Sequence, residues 1–513
     1  MTTSSPSISP RPAPQAAPAV RARQAPPTSP AEDPNLILWT RDLPREHGFE
    51  RLTVEGVLPA DLRGTLFRNG PGQFGQFGTP YGHPFEADGA VTAIRLDGEG
   101  GAAAVRVTES QGLRDERAAG RILYGDTVSW PRRFANSLRG RSKNTANTNV
   151  LWWQGRLFAL MEAGLPTEID PVDLRTLGET DLGVVTSWFS AHPHRVASRR
   201  TTYNFGLEVG RHNRLHMYAL PDEGNPSHLG ALDLDGSPML HDFIATDDHL
   251  IFFLSPVRVS VPHVLLAVGS FADQMRWRPE LGTEIICVPI DRPHQPVRFR
   301  TDTFFQWHFG NAFGRGRELV VDYVRYPDMA SFYEIGTAVP GSAGHAAADG
   351  GLAGHRTQTA AGAAGMHQGL SAGRYHRAVI DLERATFTSR CLLDEICEFP
   401  KVHPRVEGTA HRYTWTTIGD LTGIGRFDLE TGALVEHHLP SRQRVSEPVF
   451  VPRAGASDEA DGHVLVLCYD GASDRSFLAV FDGLRLPDGP VARLWLDHRV
   501  PVTFHGTWAA AAR

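Results

Sequence analysis

Four of the 23 histidines lie in similar local surroundings, although they are far apart in the chain. Each is at or near the edge of an apolar run and beside small or turn-forming residues: His192 in SAHPHR, His241 in MLHDFIATDDHLIFF, His308 in FFQWHFGNAF and His505 in PVTFHGTW. Neutral imidazole is the commonest metal ligand in proteins, and several imidazoles without a thiolate suit a borderline divalent ion such as iron, zinc or copper. The four residues are therefore candidate metal ligands.

The intervals between these histidines are 49, 67 and 197 residues. Zinc fingers and HExxH helices hold their ligands at much closer spacing. Long intervals suit ligands that come from separate blades of a β-propeller and converge on its axis. Spacing alone still favours four ordinary histidines, because a lone histidine is more often a surface or satisfied core residue than a ligand.

Three acidic residues are candidate partners of such ligands. They are lone acids among apolar residues or prolines: Glu162 in LFALMEAG, Glu398 in CEFPKVHP and Glu447 in VSEPVFVPR. A metal-bound histidine usually donates its second N–H to a carboxylate, and a buried carboxylate needs a partner. By pattern alone, an acid at the surface end of a strand remains the favoured interpretation for each.

The stretch PVTFHGTW (501–508) is apolar although it lies close to the end of the sequence. Terminal residues are poorly ordered unless something holds them. Either this stretch is a strand of a sheet, or His505 needs a fixed position.

Short apolar runs, punctuated by Gly, Pro, Asp and Asn, fill the chain between residue 35 and its end. Examples are GRLFALMEA, HLIFFLSP, RELVVDYVR, HRAVIDLE, GHVLVLCYD and SFLAVFDG. Each has the length and the Val, Leu, Ile and Phe content of a strand, and long helical periodicity is scarce. The pattern predicts an all-β fold such as a propeller, with two packed sandwiches as the alternative.

Two segments lack the residues of a packed core. Residues 1–34, rich in Pro, Ala and Ser, are predicted to be a disordered tail rather than a transit peptide. Residues 340–369 are predicted to be a mobile low-complexity loop, and metal binding by its histidines (His345, His355 and His367) is not favoured. The expected organisation is a tail followed by one domain over residues 35–513.

Composition excludes several classes of protein. A net charge of -7 without a basic block argues against nucleic-acid binding. The four cysteines form no CxxC pair, so neither a disulfide framework nor a thiolate zinc site is indicated, and a reducing cytoplasm is the simplest compartment. No apolar run reaches the 18 residues of a membrane span. The nearest approach, residues 249–270, is either buried strand and loop or an apolar patch that touches a bilayer.

Taken together, ordered motifs along the chain resemble the carotenoid cleavage oxygenase family, which includes apocarotenoid oxygenases, lignostilbene dioxygenases and the retinal pigment epithelium isomerase. The motifs are LPADLRGTLFRNGPGQF, HPFEADGAVTAIRL, KNTANTNVLWWQGRLFALMEAGLPTEIDP, SAHPH, LHDFIATDDHLIFF, WHFGNAF, EFPKVHP, SEPVFVP and FHGTW. They span nearly everything from about residue 35 onward. KNTANTNVLWW and EFPKVHP are most similar to the bacterial apocarotenoid branch.

The resemblance implies an all-β, seven-bladed propeller whose loops cap one face over an axial site. It implies one non-haem Fe(II) per chain, with ligands at His192, His241, His308 and His505. Outer-shell carboxylates map onto Glu162, Glu398 and Glu447. Thr148, in ANTNV, matches a family threonine near the open coordination position of the iron.

The implied reaction is the cleavage of one C=C bond of a carotenoid or apocarotenoid by O2, which gives two carbonyl products such as retinal. The alternatives are a stilbene-cleaving dioxygenase, a non-cleaving isomerase and a binding protein on the same scaffold. In the stilbene branch a lysine and a tyrosine hold the phenol, and Lys143 is a candidate for that lysine. It does not distinguish the two branches, because the apocarotenoid branch also has a lysine there. The expected partner is an apolar conjugated small molecule, with peripheral membrane contact through residues 249–270 and without an obligate protein partner.

Overall fold

The computed structural model describes residues 39–210, 212–337 and 372–511. The predicted tail at 1–34 and most of the predicted loop at 340–369, with His345, His355 and His367, lie outside these ranges, so both stay predictions.

The apolar runs form strands, and many of these strands are buried on both faces. All nine residues of GHVLVLCYD are buried in one strand, and ELVVDYVRY and RSFLAVFD form strands that are buried over most of their length. A continuous apolar run of this length is typical of a strand that is covered on both sides. Within the described ranges the strands form seven sheets of four to six strands and two small two-stranded ribbons. The protein is a seven-bladed β-propeller.

The strands are numbered in the order in which they occur along the chain. The first group is β1 (His47–Arg51), β2 (Thr53–Gly56), β3 (Arg63–Gln73), β4 (Gly75–Gln76), β5 (Thr79–Pro80), β6 (Asp88–Asp97), β7 (Gly101–Val107), β8 (Asn149–Trp153), β9 (Arg156–Leu160), β10 (Thr167–Ile169), β11 (Thr176–Glu179) and β12 (His194–Val196). The second group is β13 (Thr201–Glu208), β14 (Arg214–Pro221), β15 (Ser227–Asp233), β16 (Ile244–Ala245), β17 (His249–Leu254), β18 (Val257–Val259), β19 (Met275–Trp277), β20 (Thr283–Pro289), β21 (Val297–Thr301), β22 (Phe305–Arg315), β23 (Glu318–Tyr326) and β24 (Arg374–Asp381). The third group is β25 (Thr386–Leu393), β26 (Cys397–Lys401), β27 (Tyr413–Ile418), β28 (Gly423–Asp428), β29 (Leu434–His438), β30 (Gln443–Val445), β31 (Val449–Pro452), β32 (Gly462–Asp470), β33 (Arg475–Asp482), β34 (Ala492–Trp495) and β35 (His505–Ala510).

The blades follow the chain around the ring. Blade 1 has the strand order β1-β7-β6-β3-β35, and blades 2 and 3 are β8 to β11 and β12 to β15. Blade 4 consists of β16, β17, β20 and β21, blade 5 of β22 to β25 and blade 6 of β26 to β29. Blade 7 contains β30 to β34 together with β2. The innermost strands, one in each blade, are β35, β8, β12, β16, β22, β26 and β31, because each contacts a strand of a neighbouring blade.

The ring closes by antiparallel pairing between distant parts of the chain. In blade 1, β35 pairs with β3 from Asn69 opposite His505 to Gly64 opposite Ala510. At Gly64 (φ +155°) a Cβ atom would lie 2.5 Å from the carbonyl oxygen of Ala509, so the close approach of the two strands requires glycine. The expectation that PVTFHGTW is held as part of a sheet is confirmed for residues 505–508.

Apolar side chains fill the space between adjacent blades. Between blades 4 and 5, for example, Ile251, Phe253 and Ile285 pack with Val321 and Tyr323, and all five are buried. Such interblade layers explain why the strands read as continuous apolar runs and not as alternating patterns.

The described residues contain four α-helices: α1 (Gln111–Ala119), α2 (Trp130–Leu138), α3 (Val261–Leu266) and α4 (Ala330–Thr337). Residues of α2, α3 and α4 line one cavity, so these helices lie on the same face, called the helical face below. Short 3-10 helices occur at Pro84–Glu86, Ala197–Arg199, Ala272–Gln274, Pro279–Leu281, Pro404–Val406 and Leu486–Asp488. Among the described residues, none of the helices has the length and apolar character needed to cross a bilayer.

The apolar stretch 249–270 divides into two parts with different environments. Strand β17 is almost wholly buried between blades, whereas Val264, Leu265, Leu266 and Val268 are exposed in and after α3. The first half is therefore buried strand, and the second half presents an exposed apolar patch.

Candidate metal centre

The four candidate histidines come from four different blades and meet at the centre of the ring. His505 begins β35, His308 lies within β22, and His192 and His241 lie in the loops just before β12 and β16. All four are buried, with exposed fractions of 3 to 9 %. One ring nitrogen of each lies within 4.8 Å of one ring nitrogen of every other. The structure thus brings together residues that are up to 313 positions apart in the sequence.

The three candidate carboxylates come from the three remaining blades. Glu162 follows β9 of blade 2, Glu398 lies in β26 of blade 6, and Glu447 lies between β30 and β31 of blade 7. Each contacts the Nδ1 atom of one histidine: Glu162 contacts His241, Glu398 accepts from His308 at 2.6 Å, and Glu447 accepts from His505 at 2.9 Å. Because Nδ1–H is occupied, the Nε2 atom carries the lone pair in these three imidazoles.

The fourth histidine has a different outer partner. His192 Nδ1 lies 3.9 Å from Asp242 Oδ1, and its buried Nε2 has no hydrogen-bond partner. Asp242 is itself held by His194 Nε2 at 2.8 Å and by the backbone N–H groups of Phe243 and Phe309. A fourth carboxylate therefore faces the cluster, although it does not bond directly to its histidine.

The electrostatic environment keeps at least two imidazoles neutral. Burial and the other three imidazoles hold the pKa of His192 well below its usual range. Burial lowers the pKa of His505 to about 4, although the Glu447 carboxylate opposes the shift. Burial also lowers the pKa of His308, but the Glu398 carboxylate more than offsets this effect and the net shift is upward. Neutral imidazole is the form that binds a metal ion.

Glu447 is the most heavily contacted of the three glutamates. Its side chain is fully buried and accepts hydrogen bonds from Arg68 Nη1 at 2.9 Å and from the Gly506 N–H, and Lys401 Nζ lies 2.9 Å from Oε1. Burial raises the pKa of this carboxyl, but Lys401, His505 and Arg68 lower it further than burial raises it. Glu447 is therefore ionised at neutral pH.

Glu398 is held mainly by neutral donors. It accepts hydrogen bonds from the Tyr326 hydroxyl at 2.7 Å and from the Phe399 N–H at 2.7 Å. The pairing of β26 with β27 is irregular between Glu398 and Lys401, and Phe399 between them has a φ of +56°. This irregularity lets one short strand turn Glu398 toward His308 and Lys401 toward Glu447.

The cluster fits one metal ion. Imidazole nitrogens bind divalent metals at about 2 Å, so opposite ligands of one ion are about 4 Å apart. The four nitrogens are close to that spacing, and His241 Nε2 and His308 Nε2 lie 3.3 Å from each other. Two nitrogen atoms at this distance need a proton or a cation between them, and the outer carboxylates supply the negative charge that a cation requires.

A cavity of about 790 Å³ extends from the cluster toward the helical face. His241, His308 and His505 form part of its wall, and the rest is largely aromatic and aliphatic: Phe85, Trp307, Phe332, Phe504, Met161 and Leu240 are examples. Thr148 also lines it, is buried, and donates its hydroxyl to Asn147 Oδ1 at 3.1 Å. The space suits a long apolar molecule that reaches the histidines.

Sequence patterns missed three groups of this site: Arg68, Asp242 and Lys401. Asp242 follows His241 directly, and Lys401 lies three residues after Glu398, so proximity to a candidate residue was the available signal. No signal in the sequence marked Arg68, because its contact with Glu447 joins residues that are 379 positions apart.

The model of one known family, the retinal pigment epithelial membrane protein, matches residues 41–510. The chain belongs to that family. The resemblance to carotenoid cleavage oxygenases and the propeller fold are thus confirmed.

Relatives within the family are oxygenases by name. The chain is 29% identical to apocarotenoid-15,15'-oxygenase of Synechocystis sp. over 91% of this chain and 94% of that one. It is 26% identical to lignostilbene-alpha,beta-dioxygenase isozyme III of Sphingomonas paucimobilis over 90% of this chain and 94% of that one. A crystal structure of cobalt-substituted Synechocystis apocarotenoid oxygenase matches with a TM-score of 0.80 at 27% identity, over 93% of this chain and 98% of that chain.

Proposed function

We propose that the protein is a non-haem Fe(II)-dependent dioxygenase that cleaves one C=C bond of a carotenoid or apocarotenoid. Both atoms of O2 enter the products, so that R–CH=CH–R′ and O2 give R–CHO and OHC–R′, with retinal as one such aldehyde. The observation that carries the proposal is the cluster of four buried imidazoles at the wall of a long apolar cavity.

One iron per chain would be held by His192, His241, His308 and His505. Iron(II) held there would supply the redox chemistry needed to activate O2, which zinc lacks because it has no accessible redox change. The four neutral ligands fit this role, and the glutamates fix the orientation of three of them.

The protein's own contribution beyond the ligands is to bind and orient the substrate. Phe85, Trp307 and Phe332 pack edge to face or stacked, with Phe85 and Trp307 centroids 6.3 Å apart and Trp307 and Phe332 centroids 6.4 Å apart. A polyene has few polar atoms, so such a wall recognises its shape and excludes water. Thr148 shares the cavity with the histidines, and its hydroxyl is proposed to limit access to the open metal position.

Stilbene cleavage is the second candidate, because Tyr81 and Lys143 line the same cavity. Lys143 Nζ lies 2.6 Å from Asp88 Oδ1, 2.7 Å from Glu116 Oε2 and 2.9 Å from the Tyr81 hydroxyl, which itself donates to Asp88. A phenol would have to compete with these buried acceptors for the lysine. The apolar substrate is therefore the first candidate.

The deciding experiment uses the iron-loaded full chain. It is incubated without O2 with apocarotenals or with hydroxystilbenes, and O2 is then admitted while absorbance is followed. We expect loss of long-wavelength polyene absorbance and two aldehyde products. Formation of phenolic aldehydes alone would support stilbene cleavage, and isomerisation or binding without cleavage would overturn the dioxygenase assignment.

Metal analysis tests the shared premise. The wild-type chain is expected to bind about one iron. Mutation of a residue that only orients a ligand lowers metal affinity or activity by up to about 100-fold, so loss of a ligand in His241→Ala should lower both by more than that. His294→Ala, at an exposed histidine far from the cluster, is the matched control and should behave as wild type. Full iron content and activity in His241→Ala would refute the site.

Peripheral membrane contact is proposed for the exposed residues of α3 and the neighbouring α2. Leu265, Leu266 and Trp130 are each more than half exposed, and the indole N–H of Trp130 donates to the Leu266 carbonyl at 2.9 Å, which joins the two helices. Residues of both helices line the cavity, so an apolar substrate could pass directly from a bilayer.

Liposome flotation and turnover of lipid-borne substrate test this contact. The double variant Leu265→Ser and Leu266→Ser should reduce both, whereas Val172→Ser, at another exposed apolar residue, should change neither. Unchanged flotation and turnover in the double variant would remove the membrane proposal and leave the cleavage proposal intact.

A further inference from the structure

The chain contains two lysines, Lys143 and Lys401, against 49 arginines. Both lie beside the candidate site: Lys143 lines the cavity, and Lys401 contacts the carboxylate that holds His505. Arginine presents a broad planar fork, whereas lysine presents a compact point charge. Both lysine ammonium groups of this arginine-rich chain therefore lie next to the candidate site.

Lys401 contacts the centre through a residue that does not line the cavity. The described residues that line the cavity include Glu398 and Phe399 of the same strand, but neither Lys401 nor Glu447. The Lys401 side chain is 40% accessible, and its ammonium lies 2.9 Å from Glu447 Oε1, the oxygen that also accepts from His505. A change at Lys401 therefore acts on the histidine cluster without reshaping the substrate space.

The charges around the cluster are unevenly distributed. Four carboxylates face its histidines: Glu162, Glu398, Glu447 and Asp242. In the described part of the chain, two cationic groups touch those carboxylates, Arg68 and Lys401, and both are on Glu447. If the imidazoles are neutral, the four carboxylates and the two cations have a net charge of minus two. One divalent ion would neutralise this charge, and one trivalent ion would leave a net positive charge.

We propose that Lys401 is a positioning residue that sets the charge of this centre, so that the four histidines favour a divalent over a trivalent ion. The inference rests on the proposed iron site and adds to it a named determinant of the oxidation state. Lys401 acts through Glu447 and touches neither ligand nor substrate. Its ammonium also holds Glu447 in place, which keeps His505 directed at the other three imidazoles.

The test is a redox titration of the iron-loaded full chain and of three variants. Lys401→Met removes the charge and should favour Fe(III) over Fe(II) by about tenfold, which is about 59 mV lower in a one-electron potential. Lys401→Arg keeps the charge and should have a potential close to that of the wild type. Arg195→Met is the matched control, because the Arg195 side chain is 38% accessible, much like that of Lys401, but pairs with Asp222 at 2.7 Å and not with Glu447.

The Co(II) absorption spectrum of each variant reports whether the four ligands are retained. The proposal is supported if Lys401→Met keeps that spectrum and has the lower potential, while Arg195→Met keeps the wild-type potential. It is overturned if Lys401→Met has the wild-type potential, even with a lower melting temperature, or if Arg195→Met shifts it equally. A wild-type chain that takes up no divalent metal would overturn the iron site itself, which is a distinguishable result.

Discussion

The two sides of the histidine cluster are built from opposite kinds of residue. Toward the helical face lies a cavity walled by Phe85, Trp307 and Phe332. On the other side, Glu447 is enclosed by Arg68 and Lys401. If the proposed function holds, the difference assigns substrate recognition and metal retention to different sides of the cluster. Substitutions on one side should leave the property of the other side largely unchanged.

The largest expected effect is that of Glu447→Gln on the charged side. The amide leaves a fully buried Arg68 without its counter-charge, so the free energy of unfolding should fall by about 3–5 kcal/mol. Metal affinity should also fall by about 10–100-fold. Urea unfolding of the metal-free protein and a chelator competition measure the two quantities.

Glu162→Gln is the matched variant, because the Glu162 side chain is 29% accessible. It should lose metal affinity to a similar degree but less than about 1 kcal/mol of stability. Equal stability losses in the two variants would contradict the view that Glu447, unlike Glu162, neutralises a buried cation.

Lys143→Met tests the polar end of the cavity side. It leaves Asp88 and Glu116, whose side chains are 1% and 0% accessible, without their cation, and stability should fall by about 3–5 kcal/mol. Metal affinity should stay at the wild-type value. The control is Arg156→Met, since the Arg156 pair with Glu168 is partly exposed and should contribute less than about 1 kcal/mol. A loss of metal affinity in Lys143→Met would contradict the separation, because a change on the cavity side would then affect metal binding.

His83 provides a pH test of the aromatic side. It packs between Phe85 and Phe332, and burial lowers its pKa to about 4. Between pH 6.5 and about 4 the unfolded chain binds the proton and the folded chain does not. The stability contributed by neutral His83 is therefore present above pH 6.5 and lost as pH falls, by up to about 3 kcal/mol.

Urea unfolding of metal-free wild type and of His83→Gln at pH 7.5, 6 and 5 checks this expectation. The variant should lose less stability than the wild type between pH 6 and 5. Identical pH slopes would show that His83 is already accessible to protons in the folded state.

The smallest expected effect is that of Phe271→Leu in the cavity wall. Phe271 contacts Phe332 with ring centroids 5.8 Å apart, and its loss should weaken binding by about 1 kcal/mol. KM for a long polyene should rise about fivefold, with kcat and iron content unchanged. Phe387→Leu, between blades 4 and 5 and away from the cavity, is the control and should leave KM unchanged. A fall in iron content of Phe271→Leu would contradict the separation of the two sides.

Much of the site was predictable because its residues occupy recognisable local surroundings. His192, His241, His308 and His505 stood out by their place at strand edges, and the family resemblance selected them from 23 histidines. Their roles as ligands stay a prediction that metal analysis tests. The strands were predictable from their continuous apolar content, and the structure confirms the propeller.

The contacts that set the electrostatics were not predictable from local pattern. Arg68 reaches Glu447 only after the ring has closed, and Lys401 does so only because β26 is irregular at Phe399. The environment of residues 249–270 was likewise not predictable from local sequence pattern. The two halves of this stretch have similar hydropathy, and packing between blades decided that β17 is buried while α3 is exposed.

The pairing of β3 with β35 has a consequence for synthesis of the protein on the ribosome. Arg68 and Phe504, which touch across this pair, are 436 residues apart, so the centre belongs to the last contacts that a growing chain can make. His505 is translated 197 residues after His308. Until His505 has emerged, a nascent chain exposes at most three of the four histidines, so the complete four-histidine cluster forms only when the ring closes.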